Sequence, residues 1–486
     1  MAKCISCGGC NKYFIYILLT IFFKIVNDSL YGFNYNDSFE DVKIFNTPTQ
    51  DYFSWHSLIH QSFGYIGTTI LSIFFYKYEL NVSKKEEKSD RATNPSNINN
   101  KKNIQIKLIH NNAEDNIDIK SDKSSFIICL IVIFLWINEE QLIELYSLAL
   151  KDLDFWMFEL LIVTYFSVKM FKIEIYNHQK CAMWFTLVPC SFKILTIVLS
   201  SLGNIDTNDK NDKKHPILYI YKKLLYIPIG IIFYIILMVF RAYVNTKIKW
   251  FMDLKYISPS KLLIFYGIMG TIICTSVSIV TTYIKCDISD NKKKLYNYYI
   301  CKIPYNGSDI KINSTDRYFE NFNIYFDTFL GKVNKEHNKY EIIYEIIIIF
   351  LGMITFFFHR YFMLKVIQNL TPVYLVLSIP LYYIFQKTIL VINNFFKKGT
   401  FFSNDTIDFI ISKFILDYAG DLFSIIGFLI YLEIIELNFC DYNYNIKINI
   451  TRRSLLESNA INEPEKSFNN EVGDQVEDNN ISFTFD

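Results

Sequence analysis

Lys387 is an ionisable residue that lies well inside an apolar block of this sequence. It follows Gln386, well inside residues 372–394. An ionised side chain near the centre of a bilayer costs at least about 2.5 to 3.5 kcal/mol on insertion scales, so it needs water, a partner or a substrate. Two interpretations follow: Gln386 and Lys387 line a substrate cavity, or Lys387 forms a structural ion pair with a carboxylate such as Glu159.

A second polar group interrupts the first apolar block, residues 13–33. Lys24, Asn27 and Asp28 have the spacing i, i+3 and i+4, which places them on one face of a helix. That face could line a polar cavity and contact substrate. Alternatively, Asn27 and Asp28 reach the lumenal interface, where Asp28 neutralises Lys24.

Other ionisable residues lie within later apolar blocks. Glu159 lies a turn inside the fourth block and Lys193 in the middle of the fifth, so both are candidates for the cavity, with an interfacial position as the alternative for Glu159. We expect Arg241, near the end of the sixth block, to extend its charge to the cytosolic interface. Asp417 and Asp421, four residues apart, indicate either a lumenal entrance or a helix end.

Three cysteines precede the first apolar block. Cys4, Cys7 and Cys10 have a spacing that resembles part of an iron–sulfur or zinc site, but no fourth ligand follows. We therefore predict no metal site and no cofactor, and interpret these cysteines as palmitoylation sites or as an unmodified tail. The sequence has no P-loop, nucleophile elbow or Gly-rich dinucleotide loop, and we predict that the protein is not an enzyme.

The loop of residues 285–340 has features of a lumenal segment. Cys286 and Cys301 could form a disulfide that closes a loop of about fifteen residues, worth roughly 3 kcal/mol in the chain-entropy model. Glycosylation acceptors lie in this loop and in two others of the same parity, at Asn36, Asn306, Asn313 and Asn404.

The elements that position these residues are apolar blocks of about twenty residues, separated by nearly all of the charge. The 486 residues include 49 Lys+Arg and 48 Asp+Glu, a balance that offers no basic surface for nucleic acid. The pattern is typical of a polytopic membrane protein. We predict ten spans, near residues 13–33, 54–76, 126–146, 155–173, 182–203, 224–244, 261–284, 341–358, 372–394 and 415–436.

Charges in the short loops predict the orientation of these spans. Basic residues after the sixth and eighth spans and in the tail fall on the side of the N-terminus, which places both termini in the cytosol. Five lysines between the fifth and sixth spans disagree with this orientation. We expect cytosolic tails at residues 1–12 and 437–486, the second disordered, and an endomembrane such as the Golgi, ER or vacuole rather than the plasma membrane.

The chain divides into two halves of similar plan. Residues 13–203 and 224–436 each hold five spans, joined by a loop at residues 204–223, and in each half the longest loop follows the second span. In the first half that loop comprises residues 78–123, and we expect it to be cytosolic and disordered. The second span of each half contains two glycines three residues apart, Gly64 and Gly67 in one and Gly267 and Gly270 in the other. Such a pair permits close helix packing, and its presence in both halves indicates either a repeat or a coincidence.

If the halves are homologous, their odd number of spans makes them inverted relative to each other in the membrane. Inverted repeats around a midplane cavity are an architecture of secondary transporters. The fold class that we predict is therefore all-α, with ten transmembrane helices in a five-plus-five inverted repeat.

Two stretches resemble the drug/metabolite transporter superfamily, which includes the nucleotide-sugar transporters. In residues 231–280 a helix ends in basic residues, Ser258-Pro259 follows, and the next helix begins, as at the junction of the sixth and seventh spans of that family. Residues 370–390, LTPVYLVLSIPLYYIFQKTIL, are similar to its ninth span. The resemblance implies transport of a small solute by alternating access.

We therefore expect a secondary-active carrier that contacts membrane lipid and a small solute, with a homodimer as a candidate assembly. If Lys24 and Lys387 both line the cavity, its field favours an anionic metabolite such as a nucleotide sugar. If Asp28 and Glu159 also line the cavity, transport could be coupled to a cation or a proton. The alternatives are an integral-membrane enzyme, and a channel or scaffold subunit without a transport cycle.

Overall fold

A computed structural model describes residues 8–31, 58–93, 122–149, 156–172, 175–207, 216–255, 257–283, 285–287, 316–318, 339–398 and 407–435. Its helices in the first half of the chain are α1 (Gly8–Tyr31), α2 (Leu58–Thr93), α3 (Asp122–Ala149), α4 (Trp156–Phe171) and α5 (Asn177–Thr207). Those in the second half are α6 (Pro216–Lys255), α7 (Pro259–Thr282), α8 (Lys339–Asn369), α9 (Pro372–Leu377), α10 (Ile379–Lys398) and α11 (Ile407–Tyr431).

Each of the ten predicted apolar blocks coincides with a helix, so the prediction of an all-helical protein is confirmed. The ninth block is divided between α9 and α10. In the described residues, the exception to helix is a short antiparallel ribbon of β1 (Lys285–Asp287) and β2 (Asp316–Tyr318). The ribbon lies within residues 285–340, the loop that the sequence predicts to be lumenal.

Three of the described helices are long and apolar enough to span a membrane. They are Leu58–Asn81 of α2, Pro259–Thr282 of α7 and Ile346–Asn369 of α8. Each of them has large apolar side chains on its exposed surface, for example Phe74, Ile272 and Phe350, with 62%, 58% and 60% of their surface accessible. Contiguous exposed apolar surface of this kind is typical of a lipid-facing helix.

Helix α8 is longer than the sequence predicted, and this is a correction. The sequence predicts that the eighth span ends at residue 358, because the basic residues Arg360 and Lys365 follow the apolar block. In the structure the helix continues to Asn369 and ends just before Thr371-Pro372, where proline disfavours a helical conformation of the preceding residue. Arg360 therefore lies within a candidate span and not in a cytosolic segment.

The start of α7 has a local explanation in the sequence. Ser258 adopts an extended conformation and its hydroxyl accepts a hydrogen bond from the backbone N–H of Lys261 at 3.3 Å. Pro259 occupies the first turn, where its missing N–H is not needed. The Ser258-Pro259 pair therefore sets the first residue of the helix.

Replacing Ser258 by alanine removes this cap, and we expect it to lower the free energy of unfolding by about 1 kcal/mol. The measurement is thermal unfolding of the purified protein in detergent. Ser276→Ala is the matched control, because Ser276 is exposed and lies within the same helix, away from its first turn. If both variants unfold like the wild type, the cap does not contribute to stability.

The helices pack mainly between the two halves of the chain. Helix α2 packs on α7 and α8, α5 packs on α11, and α1 packs on α8. Helix α6 packs on α3 and α4, and α4 also contacts α9. Buried apolar residues form two clusters, one around α2, α3, α7 and α8 and the other around α1, α4, α9 and α11. The ion pairs of Arg241 and Arg360 described below lie where helices of the two halves meet.

The ninth block is broken at Ser378. Its backbone N–H bonds to the carbonyls of Tyr374 and Leu375, both at 3.2 Å, and α10 begins at the next residue. Pro380 has no N–H to offer to the carbonyl of Val376, and its ring crowds that carbonyl, so a regular helix cannot continue across this point. The break lies beside α4 and α8 and precedes Tyr382, Gln386 and Lys387.

Candidate functional site

Five charged residues from four helices form what we call the central ionic cluster. Helix α3 supplies two carboxylates and α4 a third, while α6 and α8 each supply one guanidinium. Two of these helices belong to each half of the chain, so the ion pairs connect the halves. The members are Glu139, Glu140, Glu159, Arg241 and Arg360.

Glu140 is held by three groups. Arg360 Nη1 lies 2.9 Å from Glu140 Oε1, and the Tyr266 hydroxyl donates to Oε2 at 2.5 Å. The Tyr65 hydroxyl donates to the same oxygen at 3.4 Å. Trp136 stacks on the Tyr266 ring at a centroid distance of 4.1 Å and fixes its position. Glu140 therefore has a guanidinium at one carboxylate oxygen and hydroxyl donors at the other.

Arg241 serves two carboxylates at once. Its Nε lies 3.5 Å from Glu139 Oε1 and 3.3 Å from Glu159 Oε1. Both glutamates are almost fully buried, with side-chain exposures of 4% and 1%. These two buried carboxylates hold the Arg241 guanidinium against α3 and α4, whereas the sequence predicts that its charge extends to the cytosolic interface.

The predicted face of α1 contacts α8 and α10. Lys24 Nζ lies 3.3 Å from Asp28 Oδ2 and 5.0 Å from the centre of the Tyr382 ring, and the Tyr382 hydroxyl bonds to Asp28. Asn27 Oδ1 accepts a hydrogen bond from Thr355 at 3.2 Å. The three residues thus share one face of α1, as the spacing indicated. The Asp28 side chain is 5% exposed, whereas the Lys24 side chain is 37% exposed.

His359 of α8 lies next to the Lys24–Asp28 ion pair of α1. Its Nδ1 is 3.1 Å from the Thr20 carbonyl oxygen, which can only accept, so Nδ1 carries a hydrogen. The charges of Lys24, Arg241 and Arg360 act on its ring. His359 and Arg360 therefore connect the α1 face with the central ionic cluster.

Lys387 is buried and pairs with Asp421 of α11. The structure therefore contains the ion pair that was one of the two interpretations of the sequence. The carboxylate is that of Asp421 and not that of Glu159, which contacts Arg241 instead. Asp421 does not mark an entrance or a helix end, since it lies in the interior of α11 with 8% of its side chain exposed. Gln386 is half-buried.

The predicted glycines lie at close helix contacts. A Cβ on Gly64 or Gly67 would meet Phe356 or Met353 of α8. A Cβ on Gly267 would lie 2.8 Å from the Tyr65 carbonyl oxygen, and one on Gly270 would overlap the Tyr65 ring. Glycine at these positions lets α2 approach α7 and α8 closely.

Several predicted sites fall outside the described residues or side chains. These are the glycosylation acceptors Asn36, Asn306, Asn313 and Asn404, the cysteines Cys4, Cys7, Cys10, Cys286 and Cys301, and the side chains of Lys193 and Asp417. Within the part of the chain that the structure describes, no group of three His, Cys, Asp or Glu side chains has the arrangement of a metal site.

The sequence prediction missed Glu139, Glu140, His359 and Arg360 as site residues. A signal for the two glutamates was present, because the apolar run of residues 126–137 is too short to cross a membrane without them. For Arg360 the signal was weaker, since a basic residue after an apolar block equally indicates the end of a span. Their partners could not be found by spacing along the chain.

Together, the fold and the site define an all-helical protein with helices able to span a membrane and with buried ion pairs between its two halves. A scan against models of protein families and a search of curated proteins each gave no match to this chain. The function is therefore inferred from the site itself.

Proposed function

We propose that this protein is a secondary-active transporter that moves a small solute by alternating access. In this proposal residues 13–203 and 224–436 are inverted five-helix repeats, and substrate binds between them. The observation that carries the proposal is the set of buried charges where the halves meet. Buried ionisable groups in membrane helices are costly, and they commonly mark the path of a substrate or an ion.

The membrane location is supported by the apolar surface of the helices. Leu58–Asn81, Pro259–Thr282 and Ile346–Asn369 are each long enough for a hydrocarbon core of about 30 Å. Their outward side chains are large and apolar, whereas Glu139 of α3, Glu159 of α4 and Arg360 of α8 are turned into the protein. The proposal places both termini on the cytosolic side of an endomembrane.

The pattern of helix contacts supports the inverted repeat. If the helices of each half are numbered one to five, with α9 and α10 together as the fourth of the second half, second packs on second and fifth on fifth. The first helix of each half packs on the third of the other, through α1 with α8 and α6 with α3. The second helix of each half also packs on the third helix of the other half, through α2 with α8 and α7 with α3. The first helix of each half packs on the fourth of the other, through α1 with α10 and α6 with α4. A two-fold exchange of the halves would produce these reciprocal contacts.

The broken ninth block also supports transport. Discontinuous helices near the midplane are frequent in transporter sites, where they free backbone groups and provide a point of bending. Here the break at Ser378 lies one turn before Tyr382, whose hydroxyl bonds to Asp28 and whose ring contacts Lys24. Movement of α10 would therefore change the surroundings of the charged face of α1.

The substrate that we propose is a small anionic metabolite, with nucleotide sugars as the first group to test. Lys24 is the accessible member of its ion pair, and Asp28 is buried beneath it. An anionic group could bind the Lys24 ammonium without displacing Asp28, forming a charge-assisted hydrogen bond. Lys387 adds no positive field to this site, because Asp421 neutralises it.

The test is uptake and counterflow in liposomes that contain the purified full-length protein, with a panel of anionic, zwitterionic and cationic metabolites. We expect counterflow of an anionic metabolite, reduced at least about tenfold by Lys24→Gln, a loss of roughly 1.4 kcal/mol in substrate interaction. Lys247→Gln is the matched control, because Lys247 also lies over aromatic rings, at 4.9 Å from Trp250, but outside the site.

Two results would contradict parts of this proposal. Equal counterflow in Lys24→Gln and Lys247→Gln would remove Lys24 from the substrate site. Absence of counterflow for every member of the panel, with protein of native thermal stability, would contradict transport of such metabolites. Unsaturable, ion-selective current would instead identify a channel.

A further inference from the structure

The contact between α2 and α8 changes in character along its length. Three pairs of residues, each at least one turn further along both helices, define it: Gly67 with Met353, Phe75 with Phe357, and Glu79 with Lys365. Because the pairs advance together, the two helices run in the same direction. The contact passes from a glycine, through aromatic rings, to an ion pair, so its two ends have different physical properties.

The glycine end of this contact is tight. A Cβ on Gly67 would lie 2.5 Å from Met353 Cβ and 3.1 Å from Met353 Cα, so the two backbones are close together. A Cβ on Gly64, one turn earlier, would lie 3.0 Å from the Phe356 ring. Small residues at such a position let two helices gain van der Waals contact along their backbones. We therefore take this glycine contact as the fixed point about which α2 and α8 can tilt.

The opposite end of the contact is polar and partly hydrated. Lys365 Nζ lies 3.5 Å from Glu79 Oε1, and the Tyr361 hydroxyl donates to the same oxygen at 3.1 Å. The Lys365 and Glu79 side chains are 22% and 21% exposed, and ion pairs that water can reach contribute little net stability. Lys365 also lies 5.5 Å from the centre of the Tyr361 ring, a contact within α8 that does not depend on Glu79. Separation of the helices at this end therefore costs little free energy.

The ion pair lies near the end of two candidate spans. Glu79 is within a turn of Asn81, where one span ends, and Lys365 is about one turn before Asn369, where the other ends. In the orientation proposed above, these are the cytosolic ends of α2 and α8. Both residues lie twelve positions beyond the glycine contact, a distance of about 18 Å along each helix. A tilt of about 15° at the glycine contact would therefore separate them by about 5 Å.

We propose that Glu79, Tyr361 and Lys365 form a latch that closes the cytosolic entrance to the substrate site, and that α2 and α8 tilt about the glycine contact to open it. This inference rests on the proposed function. In the closed arrangement Phe75 packs against Phe357 and Tyr361 at centroid distances of 5.1 and 5.3 Å, which places an apolar layer behind the ion pair. In the open arrangement water solvates both charged groups and the rings separate.

The packing of α1 connects the latch with the substrate site. Phe23 of α1 stacks on Phe358 and Phe362 of α8 at centroid distances of 4.9 and 5.7 Å. Phe362 is the neighbour of Tyr361 in the chain, and Lys24, the residue proposed to bind substrate, follows Phe23. A tilt of α8 away from α2 would therefore carry α1 and Lys24 with it, and open a route to Lys24 from the cytosolic side.

The first experiment measures separation of the helices without a substrate. Ser72→Cys places a thiol at a fully buried position of α2, between the glycine contact and the latch. Its reaction with a water-soluble maleimide is followed by mass spectrometry of the purified full chain. We expect Glu79→Lys, added to Ser72→Cys, to react about fivefold faster, because two lysines then face each other and the closed arrangement loses population. The charge swap, Glu79→Lys with Lys365→Glu, should return the rate to that of Ser72→Cys alone.

Asp253→Asn, also added to Ser72→Cys, is the matched control. Asp253 forms a pair with Lys249 at 3.2 Å near the same end of α6, but both residues belong to one helix, so their pair does not join α2 to α8. We expect this variant to react at the rate of Ser72→Cys alone. Equal rates in Glu79→Lys and Asp253→Asn would overturn the latch, and so would a charge swap that reacts as fast as Glu79→Lys.

The second experiment tests whether the latch must open during transport. In the double variant Glu79→Cys with Lys365→Cys, a cleavable bifunctional thiol reagent should join α2 to α8. With the anionic metabolite that gives the strongest wild-type counterflow in the panel, we expect cross-linking to abolish counterflow and cleavage of the linker to restore it. The same reagent applied to Glu79→Cys alone controls for reaction with the native cysteines.

Failure of this inference is distinguishable from failure of the proposed function. Counterflow that continues unchanged after complete cross-linking of α2 to α8 would overturn the latch and leave transport intact. A loss of counterflow equal in the cross-linked double variant and in Glu79→Cys treated alone would also overturn it. Absence of wild-type counterflow would overturn the proposed transport function, whereas the maleimide reaction would still show whether α2 and α8 separate at the latch.

Discussion

Replacement of Arg360 by leucine is expected to have the largest effect on stability. The Glu140 carboxylate, 13% exposed, would lose its partner at 2.9 Å and remain buried between Tyr65 and Tyr266. Removing one member of a buried ion pair typically costs about 3 to 5 kcal/mol, because an uncompensated charge is left behind. The measurement is the unfolding temperature of the purified protein in detergent, together with the yield of monodisperse protein.

The double variant Arg360→Leu with Glu140→Leu is the control for this experiment. It removes both charges, and replacement of a buried pair by apolar residues is often neutral. We expect it to recover most of the lost stability, with the Tyr65 and Tyr266 hydroxyls, 3.5 Å apart, still able to bond to each other. If the double variant is no more stable than Arg360→Leu, then loss of packing and not the unpaired charge explains the defect.

The second large effect is expected at Gly267. A Cβ at this position would lie 2.3 Å from Thr69 Oγ1 and 2.8 Å from both the Thr69 nitrogen and the Tyr65 carbonyl oxygen. Two of these atoms belong to the backbone of α2, so rotation of a side chain cannot relieve the overlap. Gly267→Ala should therefore push α7 away from α2 and cost about 1 to 3 kcal/mol, as overpacking typically does.

Gly420→Ala is the matched control, since Gly420 is also a glycine within a helix at a contact between two helices. A Cβ there would lie 3.3 Å from Pro189 Cβ and at ordinary distances from other atoms. The gain in helix propensity from glycine to alanine, about 1 kcal/mol, should offset that contact. Unfolding temperatures of the two alanine variants make the comparison, and equal values would contradict the importance of close packing at Gly267.

The two glycine pairs differ in a way that the sequence pattern could not reveal. Gly64 and Gly67 of α2 contact α8, whereas Gly267 and Gly270 of α7 contact α2. In the sequence they occupy corresponding positions of the two halves. The partner of each pair depends on how the helices are arranged, and the side chains of Phe356 and Met353 complete one contact while Tyr65 completes the other.

The partners of the charged residues, like those of the glycines, could not be predicted from the sequence pattern alone. The spacing of Lys24, Asn27 and Asp28 predicted a shared helical face, because neighbours on a helix are set by its period. The interpretation of Arg360 as the end of a span was wrong, since its surroundings depend on Glu140, which lies 220 residues earlier in the chain. Lys387 likewise has Asp421 as its partner and not Glu159.

The sequence by itself determined the helices of this protein and the approximate blocks in which they lie. Helix formation depends on local properties, such as the length of an apolar run, a capping serine or a proline, and these are readable residue by residue. The tertiary structure alone decided which charges neutralise each other, since Tyr266 and Glu140 are 126 residues apart in the chain yet hydrogen-bonded. Ion pairing requires contact in space, and that contact arises only when helices from the two halves pack together.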